Sequence, residues 1–242
     1  MIAYPMEPKD QSRRIASAYR KTLLEQMKGQ ELLDSDELSL FEWYVREHGK
    51  VIDLMLAEER AYIEKQVGAG LDFADVNSSG MDVVEYYIKR AYYADVIYLT
   101  SLLELYLSRA SKKLELVLGN YNVIFQPGDL RGSGWERHKK FLEGYGRFTF
   151  RDAAWDTLLT LVDVRNILVH YNGFPDPKRN LSRIENSPGI KVTRQEFGCD
   201  LVNVEIVVDN AYINHCLSAF RSLVEHIDGQ INEFIERTLR PQ

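Results

Sequence analysis

The sequence predicts an all-α protein: a helical bundle with an N-terminal helical extension and a small β-hairpin just before the C-terminal helix. Three observations carry this. Apolar residues recur at steps of three and four along most of the chain, which is the period of one helix face. Breakers cluster at a few places only, so the segments between them are long. One short stretch, Ile190 to Asp209, is dense in β-branched residues instead.

The elements follow in order. Ile15, Tyr19, Leu23 and Met27 recur every fourth position between Gln11 and about Lys28, placing them on one stripe of a first amphipathic helix. Asp34 can cap the next, with Glu37 at the reciprocal position. That helix carries Leu38, Phe41, Val45, Ile52, Leu56 and Ile63 and ends at Gly68-Ala69-Gly70. The polar run Asp75 to Gly80 resembles a linker, which divides the chain into an N-terminal helical region, 1–75, and a main helical domain, 76–242.

Asp82 to about Leu118 contains neither Pro nor Gly and is apolar nearly all round between Val96 and Leu107, as expected of a central bundle helix or an oligomer interface. Gly119 to Gly134 reads as a loop, Trp135 to Leu142 as a short basic helix, and the stretch around Gly144 and Gly146 as a second loop. Ala153 to His170 presents Trp155, Leu158, Leu159, Val162, Ile167 and Val169 without a breaker, and Asn172-Gly173-Phe174-Pro175 stops it. The β-branched run folds back at Gly198-Cys199-Asp200 as a hairpin. A last helix, capped by Asp209, aligns Ile213, Leu217, Phe220, Val224, Ile227, Ile231 and Phe234.

Composition removes several function classes. The 30 basic residues against 36 acidic ones leave a net charge of -6, so the chain does not coat nucleic acid through bulk charge, and any such contact is local. The N-terminal segment turns charged at once and lacks a signal core, and the most apolar run is too short to span a bilayer; a cytoplasmic protein with no membrane contact is expected. Cys199 and Cys216 form neither a CxxC pair nor a zinc constellation and read as reduced thiols. His48, His215 and His226 have no converging ligand spacing, so no metal and no cofactor is expected.

One run combines residue types that chemistry uses: Val164-Arg165-Asn166-Ile167-Leu168-Val169-His170-Tyr171-Asn172-Gly173. It resembles the RxxxxH signature, in its RN form, of the HEPN family of helical ribonuclease domains. The resemblance extends from about Asp82 to the C-terminal helix. Tyr98 to Glu104 is similar to the family's apolar first helix with an embedded polar position, here Glu104, and Asp129 to Arg137 to the glycine-containing lead-in to the helix ahead of the motif.

The resemblance implies a bundle of HEPN type, a homodimer whose two motifs face each other, and metal-independent endoribonuclease activity of the kind found in toxin–antitoxin and phage-defence systems. RNA is then the substrate and an antitoxin a further partner. Arg165 and His170 are the implied catalytic pair, with Asn166 positioning them and Glu104 orienting one of them.

These residue types fit that chemistry. Cleavage of RNA by its own 2′-hydroxyl needs a proton taken from that hydroxyl, charge stabilised on the phosphoryl oxygens and a proton for the leaving oxygen. Histidine exchanges protons near neutrality, and His170 lies where the negative end of its helix favours positive charge. Arg165 offers a planar fork to phosphate. Asn166 and His170 are four apart and share a face, but Arg165 is five from His170, about 140° round the axis, and must reach across.

Other readings of the same residues stay open. The Arg165/His170 pair also suits a hydrogen-bonded helix end, and Glu104 a paired structural carboxylate. Arg131 to Gly134 with Arg137, His138, Lys139 and Lys140 suits an RNA phosphate but equally a turn and a solvated helix face. Tyr87, Tyr92, Tyr93, Tyr98 and Tyr106 suit base stacking or core filling. The functional alternatives are a non-catalytic HEPN-like module binding RNA, a nucleotide or a protein partner, and a purely structural helical oligomer.

Overall fold

The computed structural model describes residues 18–19, 21–30, 32–33, 35–119, 125–150, 152–197 and 201–239. Helices dominate it. Residues 21–27 form the described part of α1, followed by α2 (Ser35–Gly68), α3 (Phe73–Leu118), a 3-10 turn (Pro127–Asp129), α4 (Gly134–Phe141), a π turn (Leu142–Gly146), α5 (Asp152–Tyr171), α6 (Ser182–Glu185), strands β1 (Ile190–Phe197) and β2 (Leu201–Val208), and α7 (Asn210–Leu239). The all-α class with a two-stranded antiparallel hairpin ahead of the C-terminal helix is therefore observed.

Two compact units divide the chain, each drawn from separate segments: residues 1–34, 105–149 and 224–242 in the first, and 35–104 with 150–223 in the second. The division expected near residue 75 falls within α3, which begins at Phe73 rather than at Asp82, so the polar run Asp75 to Gly80 is helical and not a linker. Ser78, Ser79 and Gly80 are poor helix formers, at roughly 0.5–1 kcal/mol each. The helix runs through them all the same.

In the first unit the core gathers Tyr106, Leu107, Ala110, Leu114, Phe141, Leu142, Ile227, Ile231 and Ile235, all buried. Tyr106 is wholly enclosed, and its one hydroxyl proton is shared between Asp228 at 2.9 Å and the Val224 carbonyl at 3.1 Å, satisfying a group that burial alone would penalise. The buried stripe of α1 falls on Leu24 and Met27, while Tyr19 is 72% exposed and lies off the core. Ile15 lies outside the described residues. Gly29 donates its amide to Asn232 at 3.1 Å, and Arg109 and Lys113 donate to the carbonyls of Leu32 and Gln30, which fixes the chain leaving α1. The expected second loop is instead a π turn, closed by Arg147 in the left-handed region at φ 55°.

In the second unit, α2 buries Leu38, Phe41, Val45, Ile52 and Ile63 of the expected stripe, while Leu56 is half-buried. Asp34, its expected cap, lies outside the described residues, as does the hairpin turn at 198–200. From α5 come Leu158, Leu161, Val164 and Ile167, each almost fully enclosed, and from β2 Val204, Ile206 and Val208, alternate residues of one strand face. Strand pairing runs from Ile190 opposite Val208 to Phe197 opposite Leu201. Asp209 caps α7: its Oδ1 accepts from the amides of Ala211 at 2.8 Å and Tyr212 at 3.2 Å. No helix among the described residues is long and apolar enough to cross a membrane.

Candidate functional site

The motif lies at the end of α5, within the second unit. Ile167 and Leu168 are buried and hold the helix on the core, so their neighbours are turned outward: Arg165 and Asn166 are half-buried and His170 is exposed. The Arg165 guanidinium does not stand straight out from its own face. Its Nη1 donates to Asn166 Oδ1 at 3.0 Å, which ties the cation to the residue that shares a helix face with His170. His170 itself has no hydrogen bond or ion pair with any described residue.

A precise turn ends the helix. Asn172 adopts φ 53° and Gly173 φ 88°, two successive left-handed residues, and the Gly173 amide donates to the Ile167 carbonyl at 3.3 Å. The turn is docked on both sides. Ile206 of β2 directs its amide away from β1 onto the Gly173 carbonyl, at 2.9 Å, and its own carbonyl accepts from the Tyr93 hydroxyl at 2.8 Å. This satisfies the edge of the hairpin with the loop that follows the motif.

Cations surround this end of α5. Arg90 donates from Nη1 to Asn172 Oδ1 at 2.6 Å, and its guanidinium lies 5.0 Å from the Tyr86 ring centroid and 5.8 Å from that of Tyr93. Its Nε is buried without a partner among the described residues. Lys89 pairs with Glu205 and lies 5.5 Å from the Phe174 ring; burial, and then Arg90, draw its ammonium below the usual lysine range. Two turns before His170, on the same face of α5, Asp163 meets Arg179 at 3.5 Å and Arg183 at 3.7 Å. The end of α5 thus gathers positive charge in a chain whose sum is negative.

Arg90, Arg179 and Arg183 escape a reading based on the motif alone. Arg90 leaves a signal all the same, because Tyr86 and Tyr93 stand at the i−4 and i+3 positions that place rings against it on a helix. Arg179 and Arg183 leave none, since their approach to Asp163 depends on the path of the loop.

The remaining candidates fall elsewhere. Glu104 is exposed on α3 and has no hydrogen bond or ion pair with a described residue, so neither Arg165 nor His170 is held by it. In the basic segment near α4, Glu136 accepts from the Ser133 amide at 2.8 Å, and Arg137 and Lys140 donate back to the carbonyls of Gly132 and Arg131, which ties these side chains to their own turn. Tyr92, Tyr93 and Tyr106 are buried; Tyr87 and Tyr98 are half or more exposed. His48, His215 and His226 each meet a different partner, Asp95, Thr157 and Thr149. Among the described residues no three His, Cys, Asp or Glu side chains converge to hold a metal. Cys216 is a buried free thiol, pushed up to about 12 by its enclosure, whereas Cys199 lies outside the described residues.

No family model matches the chain, and neither any curated protein nor any solved structure matches it.

Proposed function

We propose that the chain is a metal-independent endoribonuclease of HEPN type, working in the cytoplasm as a homodimer whose motifs face one another. The observation that supports this best is the hydrogen bond from the Arg165 guanidinium to Asn166, the residue that shares a face of α5 with the solvent-accessible His170. Helical spacing alone would part the two functional groups. A phosphodiester lying along that face meets a fixed cation and a proton-exchanging ring together.

In the reaction the 2′-hydroxyl loses its proton and its oxygen attacks the adjacent phosphorus. The bond to the 5′-oxygen breaks, and that oxygen takes up a proton, leaving a 2′,3′-cyclic phosphate and a 5′-hydroxyl. His170 exchanges one of these protons with the reacting oxygens. Arg165 neutralises charge on the phosphoryl oxygens, and Asn166 holds the guanidinium in place. Arg90, Arg179 and Arg183 add to the field that draws the RNA backbone toward the helix end. Toxin–antitoxin or phage-defence modules are the setting proposed, with an antitoxin as partner.

Incubation of wild type, Arg165→Ala and His170→Ala with single-stranded and structured RNA in EDTA tests this. Wild type is expected to cleave, and each variant to lose at least about a hundredfold in rate with its helical circular dichroism and dimerisation retained. Cleavage by either variant at the wild-type rate would overturn it.

A second reading, a non-catalytic module binding RNA, a nucleotide or a protein partner, is favoured by one observation: nothing among the described residues orients the His170 ring. Under it, wild type retains RNA on a filter without cutting it, and Arg165→Ala weakens that retention.

A further inference from the structure

Within the second unit α2 and α3 enclose an open cavity of about 600 Å³ that none of Arg165, Asn166 and His170 lines. Its walls follow from helical spacing. Glu37, Leu40, Phe41 and Tyr44 lie along one side of α2, with Trp43 beside them, and Ala94, Asp95 and Tyr98 along one side of α3. Phe41 is buried at the base, its ring 4.8 Å from that of Tyr98 and 6.1 Å from that of Tyr44. Trp43, Tyr44 and Tyr98 remain 52%, 44% and 50% exposed, a concentration of ring surface in water that a packed helix pair does not need.

Asp95 sets the polarity of this cavity. It is only 2% exposed, and one carboxylate oxygen, Oδ2, meets His48 Nδ1 at 3.3 Å; the other accepts nothing from a described residue. The His48 ring is in turn stacked on Tyr44, 5.2 Å between centroids. Burial lifts the Asp95 carboxyl above the usual aspartate range against the pull of His48, and the Tyr44 phenol is raised by burial and then by Asp95. An acid so placed has a half-met demand for a donor, and it faces a space walled by ring faces.

We propose that this cavity binds a small organic cation, an ammonium or guanidinium group carried on an apolar body. Ring faces present the negative part of their quadrupole, so a cation between Trp43, Tyr44 and Tyr98 is attracted by the walls and by the carboxylate together. An anion is repelled by Asp95, and a neutral apolar molecule leaves that carboxylate unmet. The size of the cavity and its acidic lining, the buried Asp95 with Glu37 in the wall, agree with a cationic ligand oriented by few polar contacts.

Isothermal titration and the Trp43 indole resonance of the full chain test this with choline, methylguanidinium, the neutral choline isostere 3,3-dimethylbutan-1-ol, and adenosine as a stacking control. At least one cation is expected to saturate, with the neutral isostere and adenosine at least about tenfold weaker. Asp95→Asn, Trp43→Leu and Tyr98→Leu should each weaken the cation by about tenfold. Saturation by neither cation, equal binding of the isostere or adenosine, or unchanged affinity in Asp95→Asn would overturn the proposal. Should Asp95→Asn fail to fold, the isostere comparison on wild type and the half-exposed Tyr98→Leu decide it alone.

Discussion

Gly173 shows how narrowly the end of the motif helix is specified. A Cβ there would lie 2.6 Å from the Tyr93 hydroxyl, the group that holds the Ile206 carbonyl, and the backbone is left-handed at φ 88°. Strain and overlap therefore act together. Gly173→Ala is expected to cost about 2–3 kcal/mol in urea denaturation; an unchanged midpoint would show that the turn is not seated as described. Asn172, also left-handed, is the residue type besides glycine that tolerates this conformation, and its side chain accepts from Arg90 as well. Asn172 and Gly173 are thus structural, which separates their effect on stability from the effect of Arg165 and His170 on cleavage.

At the scale of elements, the start of α7 carries the clearest prediction. Asp209 bonds two of its first amides, and Gly189 lies so close that a Cβ there would come within 2.2 Å of the Tyr212 nitrogen, so the hairpin start and the helix cap are packed against one another. Asp209→Ala should lower stability by about 1 kcal/mol, with Asp209→Asn recovering most of it, because either oxygen can accept from the helix amides. Equal midpoints for Asp209→Ala and wild type would argue against the cap. The opposite lesson comes from α3. There local propensity between Ser78 and Gly80 favours a break, and the helix nevertheless runs through.

Across the whole molecule, buried titratable groups give stability a pH dependence with a definite sign. The folded state holds the Asp95 carboxyl above its ordinary value, so it favours the protonated form. That contribution is complete below the ordinary aspartate range and is lost as pH rises through the raised value. Asp95→Asn should therefore unfold at a urea midpoint no lower than wild type at about pH 7, the difference shrinking toward about pH 3. His138 behaves in the other sense. Burial first, and then Arg137, lower its pKa, so its contribution is present above the ordinary histidine value and lost as pH falls through the lowered one. Replacing it with Gln should flatten the acid limb of the stability profile; an unaltered limb would assign that limb to other groups.

The sequence by itself determined the helical class, the hairpin at Ile190 to Val208, the Asp209 cap, and most of the core stripes of α2 and α7, because each depends on a local period or on a group within a few residues in the chain; on α5 the buried face takes in Leu161 and Val164, whereas Val169 of the expected set is 45% exposed. Arg165, Asn166 and His170 likewise stand out by their spacing alone, as an Arg-Asn pair and a His on one helix. Only tertiary structure decided that Tyr19 lies off the core and that Arg90 and Lys89 stand beside the end of α5. The same holds for Glu104, whose position among apolar residues suggested a partner that the fold does not bring to it. Such features rest on contacts between residues far apart in the chain, and neither periodicity nor spacing encodes which distant side chain will arrive.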